Sequence, residues 1–194
     1  MIPYQIDDGT RRSRIYYGLA VISVALASVI SAISPYIPFK FAAPSAMFFF
    51  GLLTFSFDRW FWKMTWFHRM TEIPLIEGLW AGTLTRNADQ NGLAQTSQVA
   101  LIITQTWTKM SLVFEGQNSK SHAQMIGLFV ENKNDVILKW VYFAKDNSGI
   151  NPNNLYGEGT TELTLRSNET RTLRGIYYSS KLRKGAVDLS ESNA

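Results

Sequence analysis

Two long stretches without a charged residue, both near the N-terminus, constrain this chain more than any other feature. Residues 15–33 and 41–57 lack Asp, Glu, Lys and Arg, and residues 34–39 between them contain two prolines, which break helices. As a helix, the first stretch would be about 28 Å long, close to the roughly 30 Å thickness of a bilayer's hydrocarbon core. The second stretch is on the short side for a span. We predict two transmembrane helices that form a hairpin.

Basic residues flank these stretches and predict the topology. Arg11, Arg12 and Arg14 precede the first stretch, and residues 58–73 combine Arg and Lys with several tryptophans, as is typical of a membrane interface. Because basic flanks favour the cytoplasmic side, both termini are predicted to be cytoplasmic. The alternative is a signal peptide cleaved near residues 31–32, which would leave the second stretch unexplained. The predicted segments are a basic cytoplasmic tail (1–14), the two helices (15–57), an aromatic and basic juxtamembrane connector (58–73) and a cytoplasmic domain (74–194).

The first predicted helix carries small residues on one side, namely Ser23, Ala27, Ser28 and Ser31. Three of them recur every four residues, a spacing that allows helix backbones to approach closely in lipid. We expect this side to mediate helix packing, either with the second helix of the same hairpin or between protomers.

After residue 74 the pattern changes to short runs of alternating apolar and polar residues, separated by Gly, Asn, Asp and Ser. Such alternation is typical of strands with one face toward a core. Eight strands without an intervening helix predict an antiparallel meander, which can close into a lipocalin-like β-barrel around side chains or one small ligand. The predicted strands span residues 78–86, 94–105, 107–116, 120–131, 136–145, 158–167, 170–178 and 183–190.

Several function classes lack their sequence signals. The chain has no cysteine and only two histidines, so neither a thiolate nucleophile nor a zinc cluster is expected. It also lacks the P-loop and Gly-x-Ser-x-Gly motifs. We therefore predict no enzymatic activity, metal or cofactor. Residues 70–194 hold twelve basic and twelve acidic residues, so a nucleic-acid polymer is not an expected partner.

Aromatic and arginine side chains of the strand-rich domain favour a binding function. Aromatic rings stack on nucleobases and guanidinium groups fork onto phosphates, so together they suit a nucleotide. Leu138, Trp140 and Tyr142 share one face of a predicted strand, whereas residues 170–178 have no wholly apolar face, which fits a polar pocket or a solvated outer face. Each aromatic side chain could instead fill the core. The candidate ligand-binding residues are Trp107, Trp140, Tyr142, Tyr156, Arg166, Arg174, Tyr178 and Arg183.

The architecture and several short motifs resemble a known family. Residues 78–80, Gly-Leu-Trp, resemble the Gly-x-Trp opening strand of lipocalin-like barrels, where the tryptophan plugs one end, so we expect a structural role for Trp80. Together with the two apolar stretches, residues 76–82, 173–178 and 185–189 carry the resemblance. The whole chain resembles the bacterial CBASS antiphage effectors described as SMODS-associated, two-transmembrane and β-strand-rich.

This resemblance implies a multi-pass protein of the bacterial inner membrane that senses a cyclic nucleotide made by a CD-NTase enzyme after phage infection. A cyclic dinucleotide would bind the barrel and drive homo-oligomerisation, and the clustered spans would disrupt the lipid bilayer and kill the cell. The family's ligand contacts do not transfer residue by residue, so the candidate site rests on this sequence alone. The alternatives are a membrane-anchored, lipocalin-like carrier of a lipid or small molecule and a structural membrane scaffold.

Overall fold

The chain divides into two compact units, Asp8–Ile73 and a second unit that joins Met1–Asp7 to Pro74–Ala194. The fold is known from a computed structural model. It describes residues 1–6, 9–36, 44–71, 73–87, 95–117, 119–132, 135–146, 156–167, 171–180 and 183–192.

The first unit is helical. The first α-helix ends just before Pro35, and the second begins after Ser45. The Ser45 hydroxyl oxygen accepts a hydrogen bond from the Phe48 amide and thereby caps the second helix. Two short 3-10 turns, Ser34–Tyr36 and Phe61–Lys63, follow these helices. The α-helices are α1 (Gly9–Ile33), α2 (Ala46–Arg59) and α3 (Thr65–Thr71).

One helix among the described residues is long and apolar enough to span a membrane. It covers Arg12–Ile33 within α1, with a mean hydropathy of 2.0 over its most apolar window. α2 overlaps the second predicted span, residues 41–57, of which residues 41–43 lie outside the described part of the chain. With 14 residues, α2 is about 21 Å long, shorter than a hydrocarbon core of about 30 Å.

The small residues of α1 divide between two environments. Ser23 is 1% exposed, and its hydroxyl donates a hydrogen bond to the Leu19 carbonyl at 2.6 Å. Ala27 is half-buried, whereas Ser28 and Ser31 are exposed. Because α1 and α2 pack against each other, the burial of Ser23 and Ala27 fits packing within the helical unit, and the exposed serines leave a second side of α1 open.

The second unit is a closed β-barrel of eight antiparallel strands. Each strand pairs with the next along the chain, and the last pairs with the first to close the barrel. The eight predicted strands are confirmed, with bounds that differ by at most two residues. In chain order, the strands are β1 (Ile2–Pro3), β2 (Gln5–Ile6), β3 (Gly78–Arg86), β4 (Gln95–Gln105), β5 (Lys109–Gly116), β6 (Ser119–Asn132), β7 (Asp135–Asp146), β8 (Tyr156–Ser167), β9 (Arg171–Ser179) and β10 (Lys184–Glu191).

The two shortest strands come from the N-terminal residues, which the sequence suggested to be part of a tail. β1 pairs antiparallel with β5, and β2 pairs parallel with β6. Residues 1–6 therefore complete the sheet of the barrel unit. Two-residue strands have no measurable alternation, so sequence periodicity could not reveal them.

Alternation along the strands fills one end of the barrel with apolar side chains. Leu112, Leu138 and Leu163 point inward and are almost fully buried, and Trp80 is completely buried. The Trp80 indole nitrogen donates a hydrogen bond to the Ile76 carbonyl at 3.1 Å. This end is called the closed end below.

Polar contacts fix the closed end. The Arg171 guanidinium lies 5.4 Å from the centre of the Trp80 ring and donates hydrogen bonds to the Glu191 carboxylate at 3.1 Å. It also donates to the Leu75 carbonyl. The buried Gln105 amide accepts a hydrogen bond from the Ile76 amide and donates one to the Pro74 carbonyl. The chain that enters β3 is thereby tied across the closed end, and the core tryptophan has the structural role expected for it.

Candidate functional site

The opposite end of the barrel contains a cavity of about 460 Å³, within the usual range for small-ligand sites. All eight barrel strands or the turns next to them contribute to its wall. The lining residues are Leu84, Arg86, Gln95, Ser97, Val99, Phe114, Gly116, Gln117, Ser119, Ser121, Trp140, Tyr142, Ala144, Gly157, Thr161, Tyr177, Ser179, Arg183 and Val187.

Strand register determines the depth of each side chain in this cavity. Trp140 pairs with Thr161, which pairs in turn with Tyr177, and these three inward residues form one level across β7, β8 and β9. Trp140 is 3% exposed and Thr161 is 5% exposed, so this level is deep. Arg86, at the end of β3, and Arg183, just before β10, lie at the mouth beside the hairpin turns.

The charge of the cavity wall is positive. Arg86 and Arg183 are the charged side chains among the described residues that line it, and no carboxylate is among them. Backbone pairing brings the two arginines together, because Arg86 lies opposite Gly185, two residues beyond Arg183. Two guanidinium groups at one side of a partly enclosed mouth form a site for an anion that can accept forked hydrogen bonds, such as a phosphate.

Two tyrosines occupy space that glycines on neighbouring strands leave free. Tyr142 lies opposite Gly159, where a Cβ atom would stand 2.6 Å from the tyrosine Cζ. Tyr177 lies opposite Gly185, where a Cβ atom would stand 2.7 Å from the ring. A side chain at either glycine would meet the tyrosine ring and, even closer, a backbone carbonyl of the next strand, that of Tyr178 at Gly159 and that of Thr85 at Gly185.

Both tyrosines are held in the neutral form. Burial raises the pKa of Tyr142 above the ordinary value of 10.0, and a hydrogen bond with Ser179 offsets part of the increase. Burial also raises the pKa of Tyr177, and the positive charge of Arg86 partly offsets it. Near pH 7 both hydroxyl groups therefore keep their protons. The Tyr142 hydroxyl donates its proton to the Tyr178 carbonyl at 3.4 Å, so the Tyr177 hydroxyl is the one that can donate to an anion.

The rest of the wall combines uncharged polar groups with apolar surface. Hydroxyl and amide side chains can meet the hydrogen-bonding edge of a planar heterocycle, and the Ser121 hydroxyl already donates to the Phe114 carbonyl at 3.5 Å. Trp140 and Phe114 supply aromatic surface on which such a ring could stack. The cavity thus joins an anion site at the mouth to a deeper aromatic and polar compartment.

Three of the eight residues proposed from the sequence come together here, namely Trp140, Tyr142 and Arg183. Trp107 is 1% exposed and lies in the connection between β4 and β5, at the closed end. Arg166 is exposed near the end of β8, away from the cavity. Tyr156 begins β8, and its side chain lies outside the described part of the chain.

The remaining two residues, Arg174 and Tyr178, point away from the cavity. Arg174 forms an ion pair with Asp188 of the adjacent strand at 2.9 Å, and both side chains are about half exposed. Tyr178 is 49% exposed. The register of β9 turns Leu173 and Tyr177 inward, so the opposite face is the solvated outer face that the sequence left open as an alternative.

Arg86, Tyr177 and Phe114 also line the cavity, although none of them is among the candidates proposed from the sequence. Alternation gave a signal for Phe114, which follows the buried Met110 and Leu112 on the same face of β5. Tyr177 shares a face with Leu173, but Gly175 between them weakens that pattern. Arg86 ends a strand, and its position depends on closure of the barrel by β10, a contact distant in sequence.

The described residues contain no group of three or more His, Asp or Glu side chains that could hold a metal ion. A family model described as Cap15, cyclic dinucleotide receptor domain, matches residues 71–189. This range covers well over half of the chain and contains every residue that lines the cavity. No curated protein sequence matches the chain at a significant level.

Proposed function

The chain belongs to the Cap15 cyclic dinucleotide receptor family, and we propose that it is a CBASS effector whose barrel cavity binds a cyclic dinucleotide. The observation that carries this assignment of the site is the pair Arg86 and Arg183 at the mouth of an aromatic-lined cavity. A carrier of apolar molecules would not need two guanidinium groups there, because an unpaired cation disfavours contact with a hydrocarbon chain.

The ligand's chemistry matches the two compartments. A phosphodiester of the cyclic backbone carries one negative charge and accepts forked hydrogen bonds from Arg86 and Arg183. The neutral hydroxyl of Tyr177 supplies a further donor beside Arg86. A base enters the deeper compartment, where the rings of Trp140 and Phe114 offer stacking surface.

The binding proposal is tested by calorimetry on the full-length protein in detergent micelles. The titrants are the four 3′,3′-linked molecules cyclic di-AMP, di-GMP, di-UMP and GMP–AMP, with the corresponding linear dinucleotides as controls. We expect saturable binding of at least one cyclic molecule and weaker binding of its linear form. No binding of any molecule in the panel, or equal affinity for linear and cyclic forms, would argue against a cyclic dinucleotide receptor.

We propose further that the helical unit is the output device, with α1 and α2 forming a two-span hairpin in the inner membrane. Residues 1–6 and the barrel belong to one sheet, so they occupy the same side of any bilayer that α1 crosses. The chain must then cross back between residues 34 and 73. The number of crossings is then even, and both termini lie on the barrel's side of the membrane. The basic flank before α1 favours the cytoplasm as that side.

The residues around α2 suit the return crossing. α2 is entirely uncharged from Ala46 to Phe57, and a span shorter than the bilayer core is accommodated by local thinning at modest cost. Trp60 and Trp66 follow it and are 59% and 69% exposed, as expected of rings among lipid headgroups. The exposed Ser28 and Ser31 leave a small-residue side of α1 open for packing against another protomer.

Ligand-driven oligomerisation and membrane disruption complete the proposal. The test uses full-length protein reconstituted into phosphatidylethanolamine and phosphatidylglycerol vesicles that contain a self-quenched dye. Addition of the cyclic dinucleotide identified by calorimetry should release dye and increase cross-linked oligomers. Binding without dye release or oligomer growth would restrict the protein to a receptor without this output.

A further inference from the structure

The seam between β5 and β6 differs from the other seams of the barrel. Direct pairing of these strands in the described residues covers three pairs at the hairpin end, where Val113–Glu115 meet Lys120–His122. Between this region and the far end of β6, a bulge shifts the register at Ala123 and Met125. A bulge bends the strand that carries it, so β6 diverges from β5 beyond the bulge.

The N-terminal hexapeptide, Met1 to Ile6, fills the gap. Ile2 lies opposite Met110 of β5, and Ile6 lies opposite Leu128 of β6. Tyr4, between the two short strands, is only 2% exposed. The hexapeptide therefore acts as a ninth wall segment, inserted by the same strand addition that proteins use to bind extended peptides.

The strands that hold the hexapeptide also form part of the cavity. Phe114 and Gly116 of β5 and Ser119 and Ser121 of β6 line it, on the hairpin side of the bulge. On the other side, Met110 and Leu128 are completely buried next to the hexapeptide. One pair of strands thus contacts the ligand cavity at one end and the hexapeptide at the other, and α1 begins three residues after Ile6.

We infer that the hexapeptide is part of the receptor and that its docking is coupled positively to occupation of the cavity, an inference that rests on the proposed function. The hexapeptide pairs with both strands at once, so it docks only when the distance between β5 and β6 is the one that fits it. A ligand that contacts Phe114 and Ser121 restricts the same two strands. Each partner therefore reduces the conformational entropy that the other must lose.

The coupling is reciprocal, because a docked hexapeptide must favour the ligand by the factor by which the ligand favours docking. Cavity occupation is thereby transmitted to the start of α1 through a strand pairing. A receptor domain that begins at residue 71 lacks this segment.

Hydrogen exchange on the full-length protein in detergent micelles tests the coupling. Amide exchange is measured by mass spectrometry for peptides covering residues 1–8, with and without the cyclic dinucleotide identified by calorimetry. We expect the ligand to slow exchange of the N-terminal peptide at least about 5-fold, the lower end of typical coupling factors. The control is Arg86→Ala, which should lose most of the binding and of the protection at a ligand concentration near the dissociation constant of the natural protein.

A cysteine cross-link tests docking without ligand, since the natural chain contains no cysteine. Pro3 and Lys109 are exposed and lie opposite each other, so their Cα atoms should be within disulfide range. Pro3→Cys with Lys109→Cys should give an intramolecular disulfide on mild oxidation. The matched pair, Pro3→Cys with Lys184→Cys on the exposed surface of β10, should not.

Each outcome is decisive. Measured ligand binding with unchanged exchange of residues 1–8 would overturn the coupling and leave the proposed function intact, and faster exchange would overturn its sign. No binding across the panel would remove the proposed function and the coupling together, while the cross-link would still report docking. A disulfide between two chains, or equal cross-linking of the Lys184 pair, would show that the hexapeptide does not dock on its own barrel.

Discussion

Replacing Arg86 by Ala removes one of the two guanidinium groups at the mouth of the cavity. A hydrogen bond to a charged group contributes about 1.5–3 kcal/mol to an interaction. Arg86 is only half-buried, so the lower part of this range applies, about 1.5–2 kcal/mol. Since 1.4 kcal/mol corresponds to a factor of ten in the dissociation constant, Arg86→Ala should weaken cyclic dinucleotide binding roughly 10- to 30-fold.

Calorimetry on full-length protein measures this loss of affinity, and two further variants serve as comparisons. Arg86→Lys keeps the charge but not the planar fork, so its affinity should fall between those of the natural protein and Arg86→Ala. Arg166→Ala removes an exposed arginine away from the cavity and should change the affinity less than twofold. The thermal unfolding midpoint of each variant should stay within a few degrees of the natural value, because neither side chain contributes to the core.

Natural affinity in Arg86→Ala would contradict an anion site at the mouth. An equal loss of affinity in Arg166→Ala would also contradict it, since binding would then follow overall charge and not the cavity. A loss in Arg86→Ala accompanied by a large drop in the unfolding midpoint would point to altered folding; Arg183→Ala at the same mouth then provides an independent test of the site.

Three further predictions concern the wall and the plug. Gly159→Val should press on the Tyr178 carbonyl of β9 and displace the Tyr142 ring. The variant should bind the ligand more weakly and lower the free energy of unfolding by about 1–3 kcal/mol in a denaturant titration. Unchanged values would contradict the close contacts at Gly159. Burial raises the pKa of Tyr142 and Tyr177, so on raising the pH the unfolded chain releases these protons before the folded protein does. The free energy of unfolding should therefore be constant from pH 7 to 9 and decrease above about pH 10. The variant with Phe at both positions should show a smaller decrease. Trp80→Ala should cost about 3–5 kcal/mol of stability, and a loss below about 1 kcal/mol would contradict its role as the plug of the closed end.

The strands were predictable because the barrel has one core, which imposes a period of two on every long strand. Trp140 and Tyr142 could be placed on the inner face because they continue the face of Leu138, with the exposed Lys139 on the other. The alternation on β9 is ambiguous, since Gly175 interrupts the inner face and Tyr178 adds an aromatic ring to the outer one. The arginine and aromatic content of the outer face of β9 favoured that face as the pocket, whereas the register of the barrel determines which face points inward.

Features that depend on distant pairing were not predictable from local pattern. The position of Arg86 beside Arg183 requires closure of the barrel between β3 and β10. The pairing of Ile2 and Ile6 with β5 and β6 requires a gap that a bulge in β6 creates. The start of α2 was also not predictable from the apolar pattern, because α2 begins at Ala46, after the N-cap Ser45, and not at residue 41.

The most direct test of the central claim is an experimental structure of the full-length protein with a bound cyclic dinucleotide. We expect the ligand inside the barrel, with a phosphate oxygen about 2.7–2.9 Å from a guanidinium nitrogen of Arg86 or Arg183 and a base beside Trp140. A ligand on the outer face of β9, beside Arg174 and Tyr178, with an empty cavity would contradict the assignment of the site.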